Sequence, residues 1–367
     1  MDYREEEERM FVSKSVAIED GFTCYDKIFY QWDDKNNADL LLLVSTEKQL
    51  IESFDLMGRQ WSTLSLGTEN SYRNIEIYDK KIFCVDTETF SLDILFLTRK
   101  QRAYHKRHIT FANKGIRLKE KAHLVVWKHH EAGVIYRCLL GPSEDGRYMN
   151  FDLLERYFTS RTDEKTVIGN VVFISLDFRD GNMNLDDVIC AVDGVRKSII
   201  CYNERTHKFF EYNDFAGEES RFLNTMENIE KGMHVNRIYP FCPYDFFPQS
   251  RKNQLQASAK NIGRKEDLDA FVRNLHREVL VCMKEGRLLK LALMQEAVMV
   301  DDNLWKATLI ELGSSSLTDI AINDRTGEIY CLCKEEIQIL ERQEKNPSVM
   351  LKVEMRKRQL LSDNYSS

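Results

Sequence analysis

The chain has 367 residues, a formal net charge of −7, and 43% hydrophobic against 30% charged residues. That balance excludes a disordered, fibrous or membrane-embedded chain. Aromatics reach 11% while prolines number five and glycines 16, which favours strands and leaves little room for linkers or low-complexity tracts.

The start, MDYREEEERM, is acidic and resembles neither a secretory leader nor a mitochondrial presequence. The run LLLLV at 40–44 falls far short of the roughly 20 apolar residues a membrane span needs. The expectation is a soluble chain of the cytosol or nucleus with no membrane partner. The nine cysteines agree: Cys84, Cys138, Cys190, Cys201, Cys282, Cys331 and Cys333 sit in or beside apolar runs, as reduced core thiols do. Cys331 and Cys333 form CxC, which a strand puts on one face as core filler or, less economically, as a metal or redox pair.

In chain order, MFVSKSVAIE at 10–19 reads as a strand, and ADLLLLVSTEKQLIESFDLMGRQWSTLSL at 38–66 as three strands joined by turns. IEIYDKKIFCVDTETFSLDILFL follows from Ile75 with the same spacing. Next comes the sharpest departure from the overall charge. Arg99, Lys100, Arg102, Lys106, Arg107, Lys114, Arg117, Lys119 and Lys121 stand against Glu120 alone, a local balance of +8, with Tyr104 and Phe111 between them. Such a stretch suits an acidic protein or a phosphate backbone, or else the solvated outer strand of a sheet.

HLVVW (123–127) and VIYRCLL (134–140) read as a strand pair flanking His129, His130 and Glu131, a polar hairpin tip. DGNMNLDD (180–187) alternates oxygen ligands as calcium loops do, but Leu185 stands where the turn needs glycine and Ala191 where the closing Glu belongs, so a solvated loop is expected. VICAV and SIICY flank Asp193–Gly194 as a hairpin. Residues 217–231 and 265–278 show helical spacing. Between them the aromatics Tyr239, Phe241, Tyr244, Phe246 and Phe247 precede a basic tract of Arg251, Lys252, Lys260, Arg264 and Lys265. These aromatics either anchor a loop or form a docking surface. VLVCM (279–283) and LLKLAL (288–293) form another pair, and residues 355–367 a polar tail.

LTDIAINDRTGEIYCLCKEEIQILER (317–342) repeats the pattern that begins at Ile75. It resembles one blade of a β-propeller of the broad WD-repeat and NHL-repeat style, and 38–66 resembles the last three strands of another. The resemblance implies an all-β fold: a single propeller of six or seven four-stranded blades, with units near 22–66, 73–111, 114–154, 166–213, 233–311 and 317–354. An insertion spans 214–278, and the segment before residue 22 closes the ring. The Trp-Asp dipeptide occurs once, at Trp32–Asp33, so no family residue roles carry over.

No glycine-rich phosphate loop, GxSxG elbow or HExxH is present, and no cofactor is expected. Three functions compete: a non-enzymatic scaffold for protein partners, an RNA-binding propeller using 99–121, and a channel hydrolase whose metal would use Glu76, Asn236 and Asp319.

Overall fold

Short apolar runs alternating with polar turns become, in a computed structural model of the chain, antiparallel strands that pair with their neighbours in sequence. The structure describes residues 10–18, 21–34, 36–67, 72–78, 80–97, 104–111, 115, 117–128, 135–144, 148–154, 166–168, 172–174, 180–185, 188–193, 198–203, 208–212, 215–217, 235–241, 243–261, 268–269, 272, 278–283, 287–293, 305–310, 312 and 317–342.

Six sheets lie among these residues. The first holds β2 (Lys27–Asp33), β3 (Ala38–Ser45), β4 (Leu50–Asp55) and β5 (Gln60–Ser65) in sequence order. The second holds β6 (Tyr72–Tyr78), β7 (Lys81–Asp86), β8 (Ser91–Leu97) and β9 (Tyr104–Phe111), with β13 (Thr166–Ile168) added outside β9. The third holds β10 (Leu118–Lys128), β11 (Ile135–Ser143), β12 (Tyr148–Leu154) and β14 (Val172–Ile174). The fourth holds β15 (Asp180–Leu185), β16 (Val188–Asp193), β17 (Ser198–Asn203) and β18 (Lys208–Tyr212). The fifth holds β20 (Val235–Phe241), β21 (Glu278–Met283), β22 (Arg287–Leu293) and β23 (Trp305–Ile310), with β19 (Phe215–Gly217) outside β23. The sixth joins β24 (Leu317–Ile322), β25 (Ile329–Cys333) and β26 (Glu336–Arg342) to β1 (Met10–Ala17), so the first strand described pairs antiparallel with the last one described.

The four largest cores among the described residues lie between sheets. In β7, Ile82 and Cys84 pack toward the first sheet while Phe83 and Val85 pack toward the third. In β25, Tyr330 and Leu332 face the first sheet, while Ile329, Cys331 and Cys333 face the fifth. The period of two sends alternate side chains to opposite neighbours, which is why these strands read as unbroken apolar runs. First strands meet around the centre: β6 touches β10, β10 touches β15, β15 touches β20, β20 and β21 touch β24, and β24 touches β2. Lys27 of β2 completes the circuit to β6 through three hydrogen bonds. This ring of sheets, each stacked on the next, is a β-propeller.

Several boundaries differ from those expected. The third sheet takes its outer strand from Val172–Ile174, past the expected end at 154, while Thr166–Ile168 joins the second sheet. Residues 214–278 are not one insertion, because Val235–Phe241 is the first strand of the fifth sheet. DGNMNL at 180–185 is strand β15, because pairing with Val188–Val192 overrides the turn preference of its Asp and Asn residues. An extended paired strand is not the tight loop of an EF-hand. The basic tract after Pro248 forms helix α1 (Gln249–Asn261), whose Gln, Lys, Arg, Leu and Ala are good helix formers although its apolar face is thin. Leu268, Asp269 and Val272 are helical within 265–278, whereas the helix expected over 217–231 falls outside the described residues apart from Gly217. His129, His130 and the 355–367 tail also lie outside them. Among the described residues no helix is long and apolar enough to cross a membrane.

Candidate interaction surface

Polar side chains of the inner strands tie one sheet to the next. Asp319 of β24, 2% exposed, accepts the backbone N–H of Ile28 at 3.1 Å. The Lys27 ammonium donates to the carbonyl of Ile75 at 2.9 Å and the side chain of Asn74 at 3.2 Å, and pairs with Glu76 at 3.4 Å. Asn74 then donates to the Ala122 carbonyl at 3.0 Å. Glu76 and Asp319, read as possible channel ligands, are thus engaged in bonds between sheets. Asn236 lies on β20. Among the described residues no group of three or more His, Cys, Asp or Glu side chains converges.

A second series of contacts links the turns between first and second strands. Phe246 presses on Gly327 so closely that a Cβ there would sit 2.8 Å from its ring, and Gly327 holds φ +77°. In the same turn Arg325 stacks 3.6 Å over Trp32 of the first sheet. Asp34, in the turn after β2, pairs with Lys80 at 2.9 Å, and Lys81 donates to the Tyr136 hydroxyl of the third sheet at 2.7 Å. The cations find partners because aromatic faces and acidic turns of the next sheet stand opposite them.

Within the aromatic tract Tyr244 turns inward, while Phe246 and Phe247 are partly buried. Tyr239 and Phe241 lie on β20 opposite Leu280 and Glu278. Tyr244 is 1% exposed and donates to Asp269 at 2.7 Å; burial first, and then that bond, push its hydroxyl up to about 12. Phe247 meets Tyr244 edge-on at 6.0 Å, and Arg251 stacks 3.8 Å over Phe247. Lys252 lies 5.3 Å over Tyr244. Two cations of the 251–265 tract therefore pack on rings. Lys260 is exposed, and Arg264 and Lys265 lie outside the described residues.

The described residues of the 99–121 tract are divided between two adjacent sheets. Lys106 and Arg107 lie on outer strand β9 opposite Leu95 and Ile94, whereas Lys119 and Lys121 lie on β10, the inner strand of the next sheet. Arg117 is exposed just before β10, and Arg99, Lys100, Arg102 and Lys114 fall outside the described residues. One run of sequence crosses from the rim of one sheet to the centre of another, which charge counting cannot reveal.

Sequence reasoning missed two features. In the second sheet Tyr72 donates to Asp93, and His108 Nδ1 lies 2.7 Å from the same carboxylate. Asp93 is an acid alone in the strand SLDILFL, a signal that could have been read. The other is the edge of the first sheet, where Met57 and Trp61 are 79% and 41% exposed. Asp55 organises that edge. Its carboxylate accepts Met57 N–H at 2.8 Å, Arg59 N–H at 3.0 Å, the Arg59 guanidinium at 2.7 Å and the Trp61 indole at 3.0 Å. Burial alone would raise the Asp55 pKa, but these donors together hold it below the ordinary carboxylate value.

No family model matches the sequence, and no curated protein matches it. Among solved structures, selenomethionine-substituted virginiamycin B lyase from Staphylococcus aureus is similar at TM-score 0.47 and 9% identity, covering 91% of this chain and 99% of that one. A chain of the mitotic checkpoint complex is similar at TM-score 0.42 and 7% identity, covering 84% and 74%. The C-terminal WD40 domain of Sif2 is similar at 0.36 and 8%, covering 87% and 70%. Likenesses at this level leave function to the chain's own residues.

Proposed function

We propose that the protein is a non-enzymatic scaffold on which other proteins assemble. One observation carries the reading: Lys27, Asn74 and Asp319, on the inner strands β2, β6 and β24, are engaged in bonds between sheets, while the large apolar side chains left exposed among the described residues, Met57 and Trp61, lie on one outer edge. Exposed aromatic residues held by hydrogen bonds are typical interface anchors. The RNA alternative rests on the 99–121 tract, whose described residues divide between two sheets.

The reading is tested by purifying the tagged full chain from its native cells and identifying what remains bound at fixed stoichiometry. A partner protein is expected; a chain that elutes only as a solitary monomer overturns it. We further propose an intracellular location, because Cys84, Cys138, Cys282, Cys331 and Cys333 are buried free thiols. Imaging of the tagged chain checks this, and secretion would contradict it.

A further inference from the structure

We infer that β5 seats an extended segment of a partner protein as a parallel fifth strand on the first sheet. This rests on the scaffold reading and names the place and form of the contact.

The chain itself supplies the precedent. Outside β9, residues Thr166, Val167 and Ile168 pair in parallel with Ile109, Thr110 and Phe111. Outside β23, residues Phe215, Ala216 and Gly217 pair in parallel with Trp305, Lys306 and Ala307. Two outer edges of this propeller therefore accept a short, uncharged strand in the same direction. β5 occupies the equivalent outer position of the first sheet, and no described strand lies beyond it.

An outer strand exposes a row of backbone N–H and C=O groups, and proteins commonly guard such edges with charge, proline, shortness or a cover. The other outer strands are guarded. β9 and β23 are covered, β14 has only three residues, β18 carries Lys208 and Glu211, and β1 carries Lys14. β5 reads QWSTLS, six residues with no charge and no proline, five of them exposed.

The edge is also pre-organised. Asp55 fixes the β4–β5 turn through Met57 and Arg59 and holds the Trp61 indole. Gly58 in that turn abuts the end of β1, where a Cβ would come within 2.6 Å of the Ala17 carbonyl oxygen. A rigid edge adds a strand without first paying to order itself.

The occupant follows from this chemistry. It is an uncharged segment rich in β-branched and aliphatic residues, since β5 presents no charge to pair. A parallel strand begins where β5 begins, beside Arg59, whose side chain is 75% exposed, so an acidic residue just before the segment is favoured.

The test selects nine-residue peptides from a displayed library on the intact full-length chain. A selected peptide is then synthesised with and without alternating backbone N-methyl groups. The expected peptide has an uncharged β-branched core, slows hydrogen exchange at Gln60–Ser65, and loses at least about tenfold in affinity on N-methylation. Thr63→Lys, at an exposed position, lowers affinity by a similar factor while circular dichroism shows the strand content unchanged. Three results overturn the inference: no peptide is enriched, the selected peptides protect amides elsewhere, or β5 is protected only through dimerisation of the chain itself. In each case the scaffold reading stands if native purification still yields a partner, and a solitary chain in that experiment ends the scaffold reading itself.

Discussion

Tyr72 and Asp93 are joined inside the second sheet, with the tyrosine hydroxyl donating to the carboxylate and both residues buried. The network extends both ways. His108 reaches the same carboxylate, and the Gln49 side chain clamps the Tyr72 backbone, accepting its N–H at 3.2 Å and donating to its carbonyl at 2.8 Å. One tyrosine thus couples the β3–β4 turn of the first sheet to the third and fourth strands of the second. Burial, and then the bond to Asp93, raise the Tyr72 pKa, so this donor stays protonated at any physiological pH. Tyr72→Phe is expected to cost about 1–2 kcal/mol in urea denaturation, and Asp93→Ala about 2–3 kcal/mol because two bonded groups lose their acceptor. Equal costs would show that His108 contributes nothing through Asp93.

Gly327→Ala is expected to destabilise by about 1–3 kcal/mol, because φ +77° strains an L-residue and the new methyl meets the Phe246 ring. Part of that cost comes from the ring. Combining Gly327→Ala with Phe246→Ala is therefore expected to cost less than the sum of the two single changes in a double-mutant cycle. Strict additivity would assign the whole effect to the backbone.

Acid stability depends on Asp55. Its folded pKa lies below the unfolded value of about 3.9, so its contribution is present above that value and is lost as pH falls through the folded one. The stability difference between the native chain and Asp55→Asn is therefore expected to be constant near neutrality and to shrink below about pH 4. A difference that persists unchanged into strong acid would contradict the assignment. Trp61→Phe removes one donor and moves the loss of stability to higher pH.

Lys27→Met removes the three bonds that join β2 to β6. The expected loss is about 1–3 kcal/mol, with the strand content measured by circular dichroism unchanged, since no ladder hydrogen bond is touched. Loss of strand signal would mean that the sheets depend on this junction for their own pairing.

How much of this was legible in the sequence differs by element. IFCV in β7 and IYCLC in β25 announce strands buried on both faces, because only an apolar residue at every position can serve two neighbouring sheets. The hairpins VICAV–SIICY and VLVCM–LLKLAL were readable from turns placed between β-branched runs. Helix α1 was not, since its apolar face amounts to Leu255 and Ala259, which only find a partner when Tyr244 and Val272 fold against them. Nor were the fifth strands Thr166–Ile168 and Phe215–Gly217, because three residues carry no periodicity.

For the candidate surface the division is sharper. The sequence by itself determined the strand repeat, the placing of cysteines in apolar runs and the inventory of charges, because each is a property of local composition and period. Only the tertiary structure decided what those residues do. It sent Lys106 and Lys119 to different sheets, turned Tyr244 inward and left Trp61 outside. The physical reason is that exposure and charge clustering depend on which sheet stacks against which, and pairings between residues as far apart as Ile28 and Asp319 have no signature in any local window of the chain.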